Sequence, residues 1–181
     1  MNRICLHAGL ALMALVCTLP ASAHITLEHQ TAHAGSYYKA NFKVGHGCGT
    51  SPIRQIVVHI PDGVRGAKPM PKAGWDLAIQ RATLAQPYQD HGRTVTEDVV
   101  RITWTARSPA DYLLNEHYDE FALNAKLPTQ AGPLYWSVSQ VCVEGRIDWS
   151  EMPAPGQGRA RLKTPAALLD LLPTAGGAHT H

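Results

Sequence analysis

Short stretches that alternate apolar and polar residues recur along this chain, and turns rich in Gly and Pro separate them. Ile56, Val58 and Ile60 fall on one side of one stretch, and Phe121, Leu123 and Ala125 on one side of another. Successive side chains of a strand point to opposite faces, so a period of two marks a half-buried antiparallel strand. The pattern predicts strands over 25–28, 36–44, 53–60, 77–83, 94–106, 120–126, 134–143 and 147–149. Ala34-Gly35, Pro61-Asp62-Gly63, Lys72-Ala73-Gly74, His91-Gly92 and Glu144-Gly145 supply the turns between them. Many short strands at such spacing predict an all-β, antiparallel β-sandwich. Residues 108–116 suit a helical turn or a long loop. Residues 164–172 (TPAALLDLL) predict one short C-terminal helix, with Thr164 as N-cap and Pro165 at the first helical position. Beyond it, 176–181 reads as a flexible tail ending in His179 and His181.

The N-terminus changes the picture. Arg3 precedes an apolar run from Ala8 to Leu19, Pro20 breaks it, and Ala21-Ser22-Ala23 forms an A-x-A cleavage site. The run is short for a bilayer span, which takes roughly 20 apolar residues. The reading is a signal peptide over 1–23, removed to leave an exported chain that begins at His24 and keeps no stable membrane anchor. Residues 24–163 then form one domain, and 164–181 the helix and tail. The formal net charge is +2, with no Lys/Arg cluster, so nucleic acid is set aside as a partner. Cys5 and Cys17 leave with the signal. Cys48 and Cys142 remain as an even pair in an oxidising compartment, where a disulfide is the natural reading. The rival is a pair of thiolates on a soft metal, disfavoured because neither cysteine has a C-x-x-C neighbour.

Cleavage before a histidine has a chemical consequence. A terminal histidine offers its α-amine and its ring Nδ1 to one metal ion. Amines and imidazoles of this kind lose their protons readily near neutral pH, at reference values of about 7.7–8.0 and about 6.5. Nitrogen donors in a planar set suit Cu(II), which also tops the divalent affinity order. An accidental histidine at the cleavage site is the alternative. His46 sits in Gly45-His46-Gly47-Cys48, where flanking glycines leave its ring accessible and let the backbone turn tightly. With His24 it would complete a three-nitrogen histidine brace; otherwise it is a loop histidine without a role. Trp149 lies past the second cysteine, and a short hairpin around Glu144-Gly145-Arg146 would return it alongside Cys142. There its face can cover a cation, or it simply packs, as Trp75, Trp104 and Trp136 are read to do. His29, His33, His59, His91 and His117 are scattered. Glu97, Asp98, Asp119 and Glu120 read mainly as solvated, with Asp119 on the apolar face of its strand. The chain has no nucleophile elbow, phosphate loop or H-E-x-x-H.

Together the motifs resemble the YcnI-like copper-binding domain family. They are His24-Ile25-Thr26 directly after A-x-A, Ala34-Gly35-Ser36-Tyr37, Val44-Gly45-His46-Gly47-Cys48 with Ser51-Pro52, and Ile60-Pro61-Asp62-Gly63-Val64. Pro71-Lys72-Ala73-Gly74-Trp75, Tyr118-Asp119-Glu120-Phe121 and the run from Gln140 to Trp149 complete the match over about 24–155. The resemblance implies a secreted or periplasmic sandwich of immunoglobulin or cupredoxin type that binds Cu(II) at its N-terminal histidine. It implies a role in copper trafficking or homeostasis beside copper-handling membrane or periplasmic proteins. By position His24 and Trp149 correspond to the family's histidine and tryptophan. An acidic residue after the second strand is replaced here by the Gly-His-Gly-Cys segment, so His46 is inferred to stand in its place. The expected function is non-catalytic. The alternative is a copper-dependent oxidative enzyme of the lytic polysaccharide monooxygenase type, which also uses an N-terminal histidine brace. That chemistry needs a flat substrate platform, which this sequence does not display, and a tryptophan over the metal would hinder oxygen.

Overall fold

A computed structural model describes residues 24–174. The signal-peptide reading of 1–23 and the tail histidines His179 and His181 lie outside the described residues. Twelve strands run in chain order: β1 (Thr26–Leu27), β2 (Thr31–His33), β3 (Tyr37–Val44), β4 (Ile53–His59), β5 (Arg65–Pro69), β6 (Trp75–Asp90), β7 (Arg93–Ala106), β8 (Asp119–Lys126), β9 (Gly132–Trp136), β10 (Val138–Cys142), β11 (Arg146–Trp149) and β12 (Ala167–Leu172). Two single 3-10 turns, Pro109–Asp111 and Arg159–Arg161, are the only helical geometry among the described residues. No helix among them is long and apolar enough to cross a membrane.

The strands form a four-stranded sheet, β1-β3-β8-β5, and a five-stranded sheet, β11-β10-β4-β7-β6, all pairs antiparallel. A third group, β2-β12-β9, contributes to the same apolar core. The period-two pattern explains which faces meet. Tyr38, Ala40, Phe42 and Val44 of β3 point inward, as do Phe121, Leu123 and Ala125 of β8. Opposite them stand Ile56 and Val58 of β4 with Ile102 and Trp104 of β7. Phe121 is gripped edge-on by Trp75 at 5.0 Å and Trp104 at 5.7 Å, and Phe42 by Trp136 at 5.6 Å. Burying each such side chain stabilises by about 1.5–3 kcal/mol. Trp75, Trp104 and Trp136 are therefore core, as the sequence implied, and Trp149 is buried with them. Ile60 falls just beyond β4 and is half-buried. At the other end of the strand Ile53 is buried, because the pairing of β4 with β10 shifts register between Val141 and Cys142. That bulge leaves Arg54 as the extra residue and puts Ile53 in phase with Ile56.

Strand β6 runs past its predicted end. Its outer half, with Pro87 and several polar residues, lacks alternation because both faces are largely exposed. Strand β7 pairs with β6 up to Thr83 and again from Tyr88 to Asp90, and Pro87 falls in the irregularity between them, on an edge strand where a missing N–H is tolerated. The tip is a two-residue turn in which His91 (φ 46°) and Gly92 (φ 76°) both lie in the left-handed region that a tight hairpin demands.

The predicted C-terminal helix is wrong. Residues 167–172 form β12, paired parallel with β2 and antiparallel with β9. Ala167, Leu169 and Leu171 alternate inward, a period of two that a leucine-rich run hides. Leucine's helix propensity is worth only tenths of a kcal/mol, and an open slot between two strands outweighs it. Thr164 is not an N-cap either: its N–H and that of Lys163 donate to the Glu151 carboxylate at 3.0 and 2.7 Å.

Candidate metal centre

Backbone pairing runs the segment of His24 alongside the end of β3 that leads to His46. In the β1–β3 ladder Thr26 faces Lys43 and Leu27 faces Phe42. Carried two residues further, that antiparallel register sets His24 beside Gly45, one residue from His46. Ile25 is 2% exposed and anchors the segment in the core.

The turn after β3 is held from several directions. Cys48 and Cys142 form the disulfide, with Cα atoms 6.0 Å apart, so both sulfurs are used and the thiolate reading falls. Cys48 and Ser51 exchange backbone hydrogen bonds of 3.1 and 3.2 Å, and the Gly47 N–H donates to Asn115 Oδ1 at 3.1 Å. Gly47 has no room for a side chain, since a Cβ there would lie 2.0 Å from the Ser51 carbonyl oxygen. His46 Nδ1 lies 2.6 Å from the Gly47 carbonyl. A carbonyl can only accept, so in the tautomer that makes this bond Nδ1 donates and Nε2 carries the lone pair that a metal-binding imidazole needs.

Trp149 is in ring contact with both histidines. Its ring is 5.4 Å from that of His24, tilted at 60°, and 6.2 Å from that of His46, near edge-on at 81°. The hairpin forms as expected, but its register pairs Trp149 with Val138, not with Cys142. The indole is thus set deeper, at 4% exposure, and is a buried wall against which both imidazoles rest rather than an outer cover. Between Trp149 and the disulfide lies Gln140, which is fully buried. Its Oε1 accepts from the Trp149 indole N–H at 3.0 Å, and its Nε2 donates to the His46 carbonyl at 2.8 Å. One amide thereby ties tryptophan to histidine loop. The signal for Gln140 was available, because it occupies an inward position between Val138 and Cys142, where an apolar residue is the norm.

Among the described residues, no group of three or more His, Cys, Asp or Glu side chains could hold a metal ion. The imidazoles of His24 and His46 are the two of these side chains that lie against Trp149. The carboxylates lie elsewhere. Asp98 is not solvated but buried, accepting from the Tyr88 hydroxyl at 2.7 Å and the Gly66 N–H at 2.8 Å. Asp119 is half-buried and ion-paired with Lys72 at 2.6 Å. Glu120 accepts from the Tyr118 hydroxyl and the Asn41 amide, and these two bonds hold its carboxyl below the ordinary value.

A family model described as "Domain of unknown function (DUF1775)" matches residues 24–171. The fold is similar to that of an uncharacterized protein from Nocardia farcinica, whose crystal structure reveals an immunoglobulin-like fold. The TM-score is 0.64 at 22% identity, over 82% of this chain and 98% of that one. No curated protein is matched by the chain.

Proposed function

Starting from the premise that the chain belongs to the DUF1775 family, we propose that its processed form is a non-catalytic Cu(II)-binding protein. It acts in copper trafficking or homeostasis outside the cytoplasm. The observation that supports this most is that the imidazoles of His24 and His46 both lie against one buried indole. Signal-peptide removal after Ala23 turns the His24 amide nitrogen into an amine. Amine, His24 Nδ1 and His46 Nε2 then make three nitrogen donors at the edge of the sandwich, a set suited to Cu(II). Trp149 walls one side with apolar surface, and Gln140 holds both the wall and the His46 loop. With nitrogen donors from only two residues, an acceptor would take the ion by ligand exchange. The disulfide supports an oxidising compartment.

The test is electron paramagnetic resonance of correctly processed protein with one equivalent of Cu(II). The expected spectrum carries nitrogen hyperfine structure that loses one coupling in His46→Ala. A chain extended by one residue before His24 should bind far more weakly. Equal binding by the extended chain would show that the centre lies elsewhere.

A further inference from the structure

A cleft of about 250 Å³ opens beside His24, between the β1 segment and the chain that leads into β12. Its walls are mostly apolar, with Ile25, Pro165 and Leu168 among them, and its polar side chains are His24, Thr26, Gln30 and Arg159. None of the lining residues is Asp or Glu. Arg159 is half-buried, and its guanidinium is fixed in place by an Nη2–H donated to the Ala166 carbonyl at 2.9 Å. Its Nε is buried without a hydrogen-bond partner, and no carboxylate ion-pairs with it among the described residues. A guanidinium stays charged at any physiological pH, and leaving its Nε–H buried without an acceptor is costly. Such a group in the wall of a small, largely apolar cleft calls for an anion from outside. The guanidinium fork matches a carboxylate in shape and charge.

The geometry points to this cleft as a binding site for a small carboxylate of about amino-acid size, with Arg159 as its counter-ion. Thr26 and Gln30 are the further polar groups that orient it, in the manner of small-ligand sites with few polar groups in apolar walls. Because His24 lines the same cleft, the bound carboxylate lies beside the copper position and supplies an oxygen there. That last statement rests on the copper reading; the carboxylate site itself does not.

The experiment uses copper-free processed protein titrated with malonate at constant ionic strength in chloride. The readout is the amide signals of Thr26, Gln30 and Ala160 in proton–nitrogen spectra. Saturable shifts are expected in the native protein, weakened about tenfold or more in Arg159→Gln by loss of the charged partner. Ala160→Glu, at an exposed position, places a carboxylate next to Arg159 and should block the site without disturbing the fold, which decides the matter if Arg159→Gln unfolds. Absence of saturation in the native protein, or an unchanged response in Ala160→Glu, overturns the site. A second arm adds one equivalent of Cu(II): malonate should alter the copper spectrum of the native protein and leave that of Ala160→Glu unchanged. An equal response in both overturns the placement beside copper. Failure of copper to bind at all refutes the function proposed above, while the copper-free arm still decides the carboxylate site.

Discussion

Gln140 shows how one residue can organise a site it does not enter. It is a fully buried amide whose two ends are both used, one on Trp149 and one on the His46 carbonyl. In Gln140→Leu both partners lose their hydrogen bond inside the core. Unfolding in urea should show a loss of about 1–3 kcal/mol, the usual cost of stranded buried polar groups. The Cu(II) spectrum should broaden as the His46 loop loosens, a change that packing damage remote from the loop would not produce. Glu120 makes a different prediction. The Tyr118 hydroxyl and the Asn41 amide lower its carboxyl from 4.5 in the folded state. Its contribution is then fully present above the unfolded value and is lost as pH falls below 4.5 through the lowered one. Urea midpoints measured on the acid side should fall less steeply with pH in Glu120→Gln than in the native protein.

At the scale of elements, the turn after β3 is the most constrained piece of the candidate centre. A methyl group on Gly47 would meet the Ser51 carbonyl oxygen, whereas one on Gly45 meets nothing within 4 Å. Gly47→Ala should therefore cost about 1–3 kcal/mol by overpacking, and Gly45→Ala should be close to neutral in thermal unfolding. Strands were legible wherever burial is one-sided, as in β3 and β8, because alternation then reflects a real difference between faces. They were illegible where it is not. The outer half of β6 is exposed on both faces, and β5 shows little apolar pattern. Strand β12 reads as a helix because its residues favour one locally, and only β2 and β9 decide otherwise.

For the molecule as a whole, the disulfide is the longest-range covalent constraint. It spans 94 residues and joins the His46 turn to the strand that carries Gln140. The double variant Cys48→Ser with Cys142→Ser should lose about 4–5 kcal/mol in denaturant unfolding, from the freedom regained by the unfolded chain. A loss below about 1 kcal/mol would show that neighbouring hydrogen bonds hold the turn unaided. The sequence by itself determined the all-β character, the core aromatic residues and the pairing of the two cysteines. It also placed His24 directly after Ala21-Ser22-Ala23. These are matters of local pattern, of residue chemistry and of a pair left with no other partner. Only the tertiary structure decided that His24 and His46 both lie against Trp149, because that depends on the registers of β1 with β3 and of β10 with β11. It alone set Trp149 opposite Val138 as a buried wall and made Gln140 the tie between them. It alone placed Arg159 on the cleft beside His24. Registers and inter-strand slots are settled by the packing of residues far apart in the chain, and no local pattern encodes them.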